Sequence, residues 1–247
     1  MKLGVSEDES DDHENSSYVQ KRKTNPPESI TDDPVNLILG ASKTSMLLYG
    51  INLAEDYKVC VCSDGIDMLK TYYKILLQSI EKYDHRHTVV IDDSNSTFKS
   101  LVEKHTAFQY INAVAELDTF IETLKPELNA RLDTPGDHHD PLFILIPEFN
   151  TFFDMITNEQ AEFMRKVVRY INDPQYRIYF ICGYDVSGCK NNDRLFMEFV
   201  VNAGTYVLCP NSYEKASEKI ETMPLISATN TKDTYFCKNE KNIEIRW

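Results

Sequence analysis

The residues that invite a chemical reading first are those of Asn36 to Gly50, NLILGASKTSMLLYG. An apolar run ends at Gly40, Lys43 and Thr44 follow, and a second apolar run begins at once. Gly, Lys and a hydroxyl residue between a strand and a helix are the parts of a phosphate-binding loop. Its pattern, G-x-x-x-x-G-K-[ST], gives successive backbone N–H groups room to encircle a phosphate. Here only Ala41 and Ser42 stand between Gly40 and Lys43. With Gly40 as the second glycine, the first position falls on Val35, inside the strand. Gly40, Ser42, Lys43 and Thr44 therefore read as the remnant of a nucleotide site, and Lys43 taken alone as an ordinary first-turn helix residue.

Other reactive types carry less. His85 and His87, and His138 and His139, fall in loops without a third and fourth metal ligand nearby in sequence. Asp92-Asp93 closes a strand, where capping of the next helix explains it as well as catalysis does. Ser187, Ser212 and Ser227 lack a G-x-S-x-G setting. Cys60, Cys62, Cys182 and Cys209 sit in apolar runs such as YKVCVC and YFIC, without paired C-x-x-C spacing. They read as small core hydrophobes in a reducing compartment.

With 39 acidic and 26 basic residues among 247, the chain has a net charge of -13. Nucleic-acid binding normally needs a basic stripe, so that class is disfavoured. Nor does any apolar run approach the ~20 residues of a membrane span, and the N-terminus lacks a signal-peptide pattern.

Residues 1–34 combine SEDESDDHENSS, KRK and NPPES, the composition of a flexible tail or linker ahead of a domain at 35–247. From Val35 apolar strands alternate with helical segments. VNLIL leads to a helix over 43–54 and YKVCVC to one over 66–83, where Met68, Leu69, Tyr72, Tyr73, Leu76, Leu77 and Ile80 recur at helical spacing. HTVVIDD precedes a short helix from about Thr97, with Ser96 as its cap. AFQYINA precedes a long helix with Leu117, Ile121, Leu124 and Leu128 on one face. PLFILIPEF reads as a strand covered on both sides, followed by a helix over FFDMITNEQAEFMRKVVRYI. RIYFICGY, a helix near 192–203, TYVLCPN and a helical SYEKASEKIE complete the chain. This alternation predicts an α/β fold, a mostly parallel sheet with helices on both faces.

The order and spacing of these segments, above all VVIDDSNSTFKSLVEKHTAFQYINAVAELDTFIETLKPELNARL, resemble the FtsK/SpoIIIE-like P-loop ATPases. The likeness covers about 35–221 and points to the last ATPase module of type VII secretion motors of the EssC kind. It implies a RecA-like fold. PLFILIPEF takes the Walker B place, where Phe143 to Ile146 should lead to an Asp that holds Mg²⁺ and a Glu that orients water. Pro147 stands in the Asp place; Glu148 remains in the catalytic Glu place, as a solvated residue or helix cap. Arg131 occupies the place of an Arg that can reach a neighbouring subunit, a surface ion pair being the plainer alternative.

The implied parent is a membrane-anchored motor with cytoplasmic ATPase modules, exporting small helical WXG100-type proteins. The leading expectation is a degenerate module for docking or regulation, with no cofactor. Its partners would be the other ATPase modules and the exported proteins, without nucleic acid or direct membrane contact. The alternative is a working ATPase that binds ATP and Mg through an atypical loop. A DNA translocase is disfavoured by the acidity.

Overall fold

The computed structural model describes residues 36–82, 87–136, 138–188, 199, 203–218, 232–238 and 241–246. The tail at 1–34 and nearly all of the helix expected near 192–203 lie outside the described residues.

Ten strands form one sheet. They are β1 (Asn36–Ser42), β2 (Leu48–Asn52), β3 (Lys58–Ser63), β4 (His87–Ile91), β5 (Phe108–Ile111), β6 (Leu142–Ile146), β7 (Ile178–Asp185), β8 (Thr205–Leu208), β9 (Thr234–Lys238) and β10 (Lys241–Arg246). Their order is β2-β1-β10-β9-β8-β3-β7-β6-β4-β5. Pairing is parallel from β8 through β5 and antiparallel across β8, β9, β10, β1 and β2. The α/β architecture with a mostly parallel central sheet and helices is the expected one.

Among the described residues six α-helices of four residues or more accompany it: α1 (Ile66–Glu81), α2 (Lys99–Val102), α3 (Val114–Asp133), α4 (Phe149–Met155), α5 (Asn158–Tyr170) and α6 (Tyr213–Ser217). Strand side chains alternate between faces, and the core divides accordingly. Val59, Val61, Phe143 and Leu145 join Leu69, Tyr72, Tyr73, Leu76 and Leu77 of α1 on one side. Cys60, Cys62, Ile144 and Ile146 join residues of α3, α4 and α5 on the other. Tyr73, wholly buried, directs its hydroxyl to the carbonyl oxygens of Ile181 (3.0 Å) and Ile146 (3.3 Å), which fixes α1 over β6 and β7. The five described cysteines are free and buried.

Three expectations are corrected. No helix covers 43–54: the chain turns at Lys43–Leu47 and returns as β2. Leu37, Leu39, Tyr49 and Ile51 are buried at every second position, a strand period that the helical reading of LLYGINL overlooked. Ser96 does not cap α2; it lies at φ 60°, and the helix starts at Lys99 behind Phe98. The segment after Phe149 is two helices, because Thr157 and Gln160 form a capping box that starts α5 anew. β2, β9 and β10 were not foreseen.

Candidate functional site

In an open α/β sheet, ligands bind beyond the carboxyl ends of the strands where the strand order reverses. Here that place lies between β3 and β7. The chain leaves β3 for β4 on one side and leaves β7 for β8 on the other. Ser63 and Asp185 end the two strands in register.

The junction from β3 to α1 is Ser63-Asp64-Gly65. This is where a phosphate loop belongs, and two residues beyond the strand leave no ring of N–H donors. The first free N–H of the helix is already engaged: Gly65 N donates to Asp185 Oδ1 at 3.0 Å. The same oxygen accepts from the Ser187 N–H (3.0 Å) and hydroxyl (2.7 Å). A carboxylate from the chain itself thus sits where the positive end of a 16-residue helix would attract an anion. Asp64 pairs with Lys215 at 2.6 Å.

Next along the edge, β6 ends in Ile146 and Pro147 follows. Gly183 of β7 lies directly beneath, since a Cβ there would stand 1.9 Å from the Pro147 carbonyl oxygen. Glu148 caps α4. Its carboxylate accepts from Thr151 N (2.7 Å), Asn150 N (3.2 Å), Asn150 Nδ2 (2.8 Å) and Asp185 N (3.3 Å). It is a cap, as one of the expected readings had it, but buried rather than solvated. Asn150 Nδ2 also reaches the Asp185 carbonyl oxygen (3.2 Å), so Glu148, Asn150, Asp185 and Gly65 form one connected network.

Asp92 and Asp93 cap a turn. Asp92 accepts from Phe98 N (2.7 Å), the Tyr110 hydroxyl (2.7 Å) and Asp93 N (2.8 Å); Asp93 accepts from Thr97 N and Oγ1. Burial raises the pKa of Asp92, opposed by the hydrogen bonds it receives. The Tyr110 hydroxyl is raised by burial and then by its bond to Asp92. Asp64, Asp92, Asp93, Glu148 and Asp185 all lie along this edge, with Lys215 paired to Asp64.

The stretch that carries the Gly and Lys of a phosphate loop lies elsewhere. Lys43 is on the β1–β2 turn, four strands from β3, about 19 Å at ordinary strand spacing. Its amine pairs with Asp233 and, at 2.8 Å, with Glu244, and the hydrogen bond it donates to Asp233 is the main reason its pKa is raised. Ser42 closes the turn, its hydroxyl accepting from Thr44 N and Ser45 N (3.2 and 3.1 Å). Gly40 faces β10, where a Cβ would lie 2.4 Å from Arg246 O. These four residues belong to a hairpin, not a strand-to-helix loop, because the strand β2 follows them.

Arg131 makes the ion pair of the plainer expectation, with Glu127, but from a buried position. It is 3% exposed. Its guanidinium donates to Glu127, Tyr176 O, Arg177 O and Asp140 O at 2.7–3.1 Å. These bonds hold the guanidinium against the chain's own carbonyls and Glu127. His87, His138 and His139 line one cleft of about 310 Å³ beside it. Among the described residues, no group of three potential ligands is placed to hold a metal. The residues that sequence reasoning missed are Ser63, Gly65, Asn150 and Asp185. The available signal was S-D-G between a β-branched run and a helical period, the same strand–turn–helix order sought earlier in the chain.

Solved structures of ATPase domains share this α/β fold. The cytoplasmic domain of EssC superposes with a TM-score of 0.67 at 13% identity, over 94% of this chain and 45% of that one. ATPases 2 and 3 of EssC from Geobacillus thermodenitrificans give 0.67 at 12% identity, over 87% and 42%. ATPases 2 and 3 of EccC from Thermomonospora curvata, solved with a signal sequence peptide, give 0.64 at 12% identity, over 89% and 41%. The chain thus spans less than half the length of these structures, and at such identity the likeness is one of fold. No known protein family and no curated protein matches the sequence. No helix among the described residues is long and apolar enough to cross a membrane.

Proposed function

We propose that the chain is a module of a type VII secretion-type motor that keeps the ATPase fold without its nucleotide chemistry and works through protein contacts. Its partners in this reading are other ATPase modules of the same machine and the small helical WXG100-type proteins it exports. It acts at the cytoplasmic face of a membrane-anchored assembly.

The observation that carries the reading is the Asp185 carboxylate on Gly65 N, at a junction too short to encircle a phosphate. Pro147 adds to it, offering neither a carboxylate for Mg²⁺ nor an N–H. The N–H donor at the helix start and the metal ligand are each replaced by something that disfavours a polyphosphate. Charge-assisted hydrogen bonds contribute about 1.5–3 kcal/mol each, and losing several moves a micromolar site toward millimolar or weaker.

Titration calorimetry with Mg-ATP tests this. The expected outcome is no saturable heat up to about 1 mM, with an unchanged melting temperature at that concentration. Micromolar binding would overturn the reading in favour of a working ATPase with an atypical site.

A further inference from the structure

The face opposite α1 carries a groove that nothing above employs. Helices α3 and α5 are joined near their N-termini, where the Gln160 amide reaches Val114 O (3.1 Å) and Asp118 Oδ1 (2.7 Å). Toward their C-terminal halves they leave a groove of about 440 Å³ between them. Leu128, Val167 and Ile171 form its floor and Leu132, Phe163 and Tyr170 its walls. Tyr170 is 61% and Leu132 38% exposed, two of the four large apolar side chains the described residues leave in solvent. The other two, Met46 and Leu47, lie on the β1–β2 turn.

Charge narrows the occupant. The chain has a net charge of -13, yet the charged residues lining the groove are Lys125 and Lys166, one from each helix, with no Asp or Glu among them. Lys125 is braced by Glu122 at 2.6 Å and lies over the Phe163 ring at 5.7 Å, which holds its cation at the rim. From 125 to 132 the wall runs two helical turns, about 11 Å. A trough of that length between two helices suits a third helix laying an apolar ridge into it.

We infer that the α3–α5 groove is a docking site for one amphipathic helix of a partner protein. That helix would place apolar side chains one turn apart on Leu128, Leu132 and Val167 and carry carboxylates beside Lys125 and Lys166. The inference rests on the reading of the chain as a docking module and gives that module a surface and a partner chemistry.

The test uses two designed helical peptides with the same leucine ridge, one flanked by Glu and one by Lys, titrated onto the full chain by fluorescence anisotropy. The Glu-flanked peptide is expected to bind at least about tenfold tighter at low salt and to lose that margin as salt rises. Leu132→Glu and Tyr170→Ala alter exposed side chains, so the fold is retained, and each should weaken binding about tenfold. Lys125→Glu with Lys166→Glu should reverse the preference. Equal binding of the two peptides, or indifference to Leu132→Glu, would overturn the inference. So would a concentration-dependent dimer that excludes the peptide, which would assign the groove to a second copy. If binding required removal of 1–34, the occupant would be the chain's own acidic segment instead. Loss of peptide binding with Mg-ATP still silent would sink the groove alone; micromolar Mg-ATP binding would sink the docking module whatever the peptides do.

Discussion

Two short segments divide between them what a phosphate site needs. Gly40 to Thr44 has the residue types, glycine, lysine and threonine, but lies on a hairpin turn in the antiparallel half of the sheet. Ser63 to Gly65 has the place, the junction of a central strand with the N-terminus of α1, but offers serine, aspartate and a single glycine. Residue types are read locally, whereas the place is set by strand order, which depends on pairings between residues more than a hundred positions apart, such as Cys60 with Cys182. A local motif away from the strand that topology makes central is composition alone.

The sharpest way to break the comparison is at the junction itself. Gly183 lets the Pro147 carbonyl settle against β7, and a Cβ would come within 1.9 Å of that oxygen and 3.1 Å of Leu69 Cδ2. Backbone on one side and a buried leucine on the other leave little room to yield. Gly183→Ala should cost about 3 kcal/mol or more, read as a lower midpoint in urea denaturation. A variant that unfolds at the parent midpoint would mean that the edge around Pro147 and Glu148 is loosely packed and can rearrange.

That packing marks how far the sequence could be read. β3, β6, β7 and β8 were legible because each lies in a run of four or more apolar residues, and α1 and α3 because their apolar positions recur over about three turns. β2, β9 and β10 were not. Each is five or six residues long: Gly50 interrupts β2, β9 has a lone Phe236 and Cys237 at its centre, and β10 alternates Ile243 and Ile245 with polar neighbours, weaker signals than the glycine and lysine that drew attention to β1. The Glu148–Asn150–Asp185–Gly65 network was illegible for another reason. Its members come from three segments, and only the fold brings Asp185 to Gly65.

β3 itself offers a second test, since it does carry a lysine, at the wrong end. Lys58 begins the strand, opposite the edge where a phosphate would sit, with its amine 5.4 Å from the Tyr57 ring. Burial lowers its pKa to about 8. A basic group depressed on folding opposes stability wherever the unfolded chain would be protonated. The penalty is therefore full below about pH 8 and fades as pH rises toward the ordinary value of 10.5. Lys58→Met should stabilise the protein by about 1–2 kcal/mol at pH 7. The gain should vanish near pH 10.5. An equal gain at both pH values would show that the lysine's packing, not its charge, disfavours the site.

The smallest effect belongs to the residue that looked most catalytic. Lys43 is tied to Asp233 and Glu244 on an exposed turn. Such pairs contribute little, since water and salt screen them. The hydrogen bond to Lys43 lowers the pKa of Asp233, and the same bond raises that of Lys43. A carboxylate depressed on folding stabilises above its unfolded value and loses that contribution as pH falls through the folded one. A raised lysine stabilises below its unfolded value and loses the contribution only as pH climbs past it. Both contributions are present at neutral pH, so Lys43→Ala should lower stability slightly at pH 7, and the difference from the parent should shrink below the ordinary carboxylate range. In the reading argued above, the same substitution leaves the response to Mg-ATP unchanged, because the turn lies four strands from β3. A thermal shift with Mg-ATP in the parent chain that Lys43→Ala removes would return the site to the hairpin and erase the distinction between the two segments.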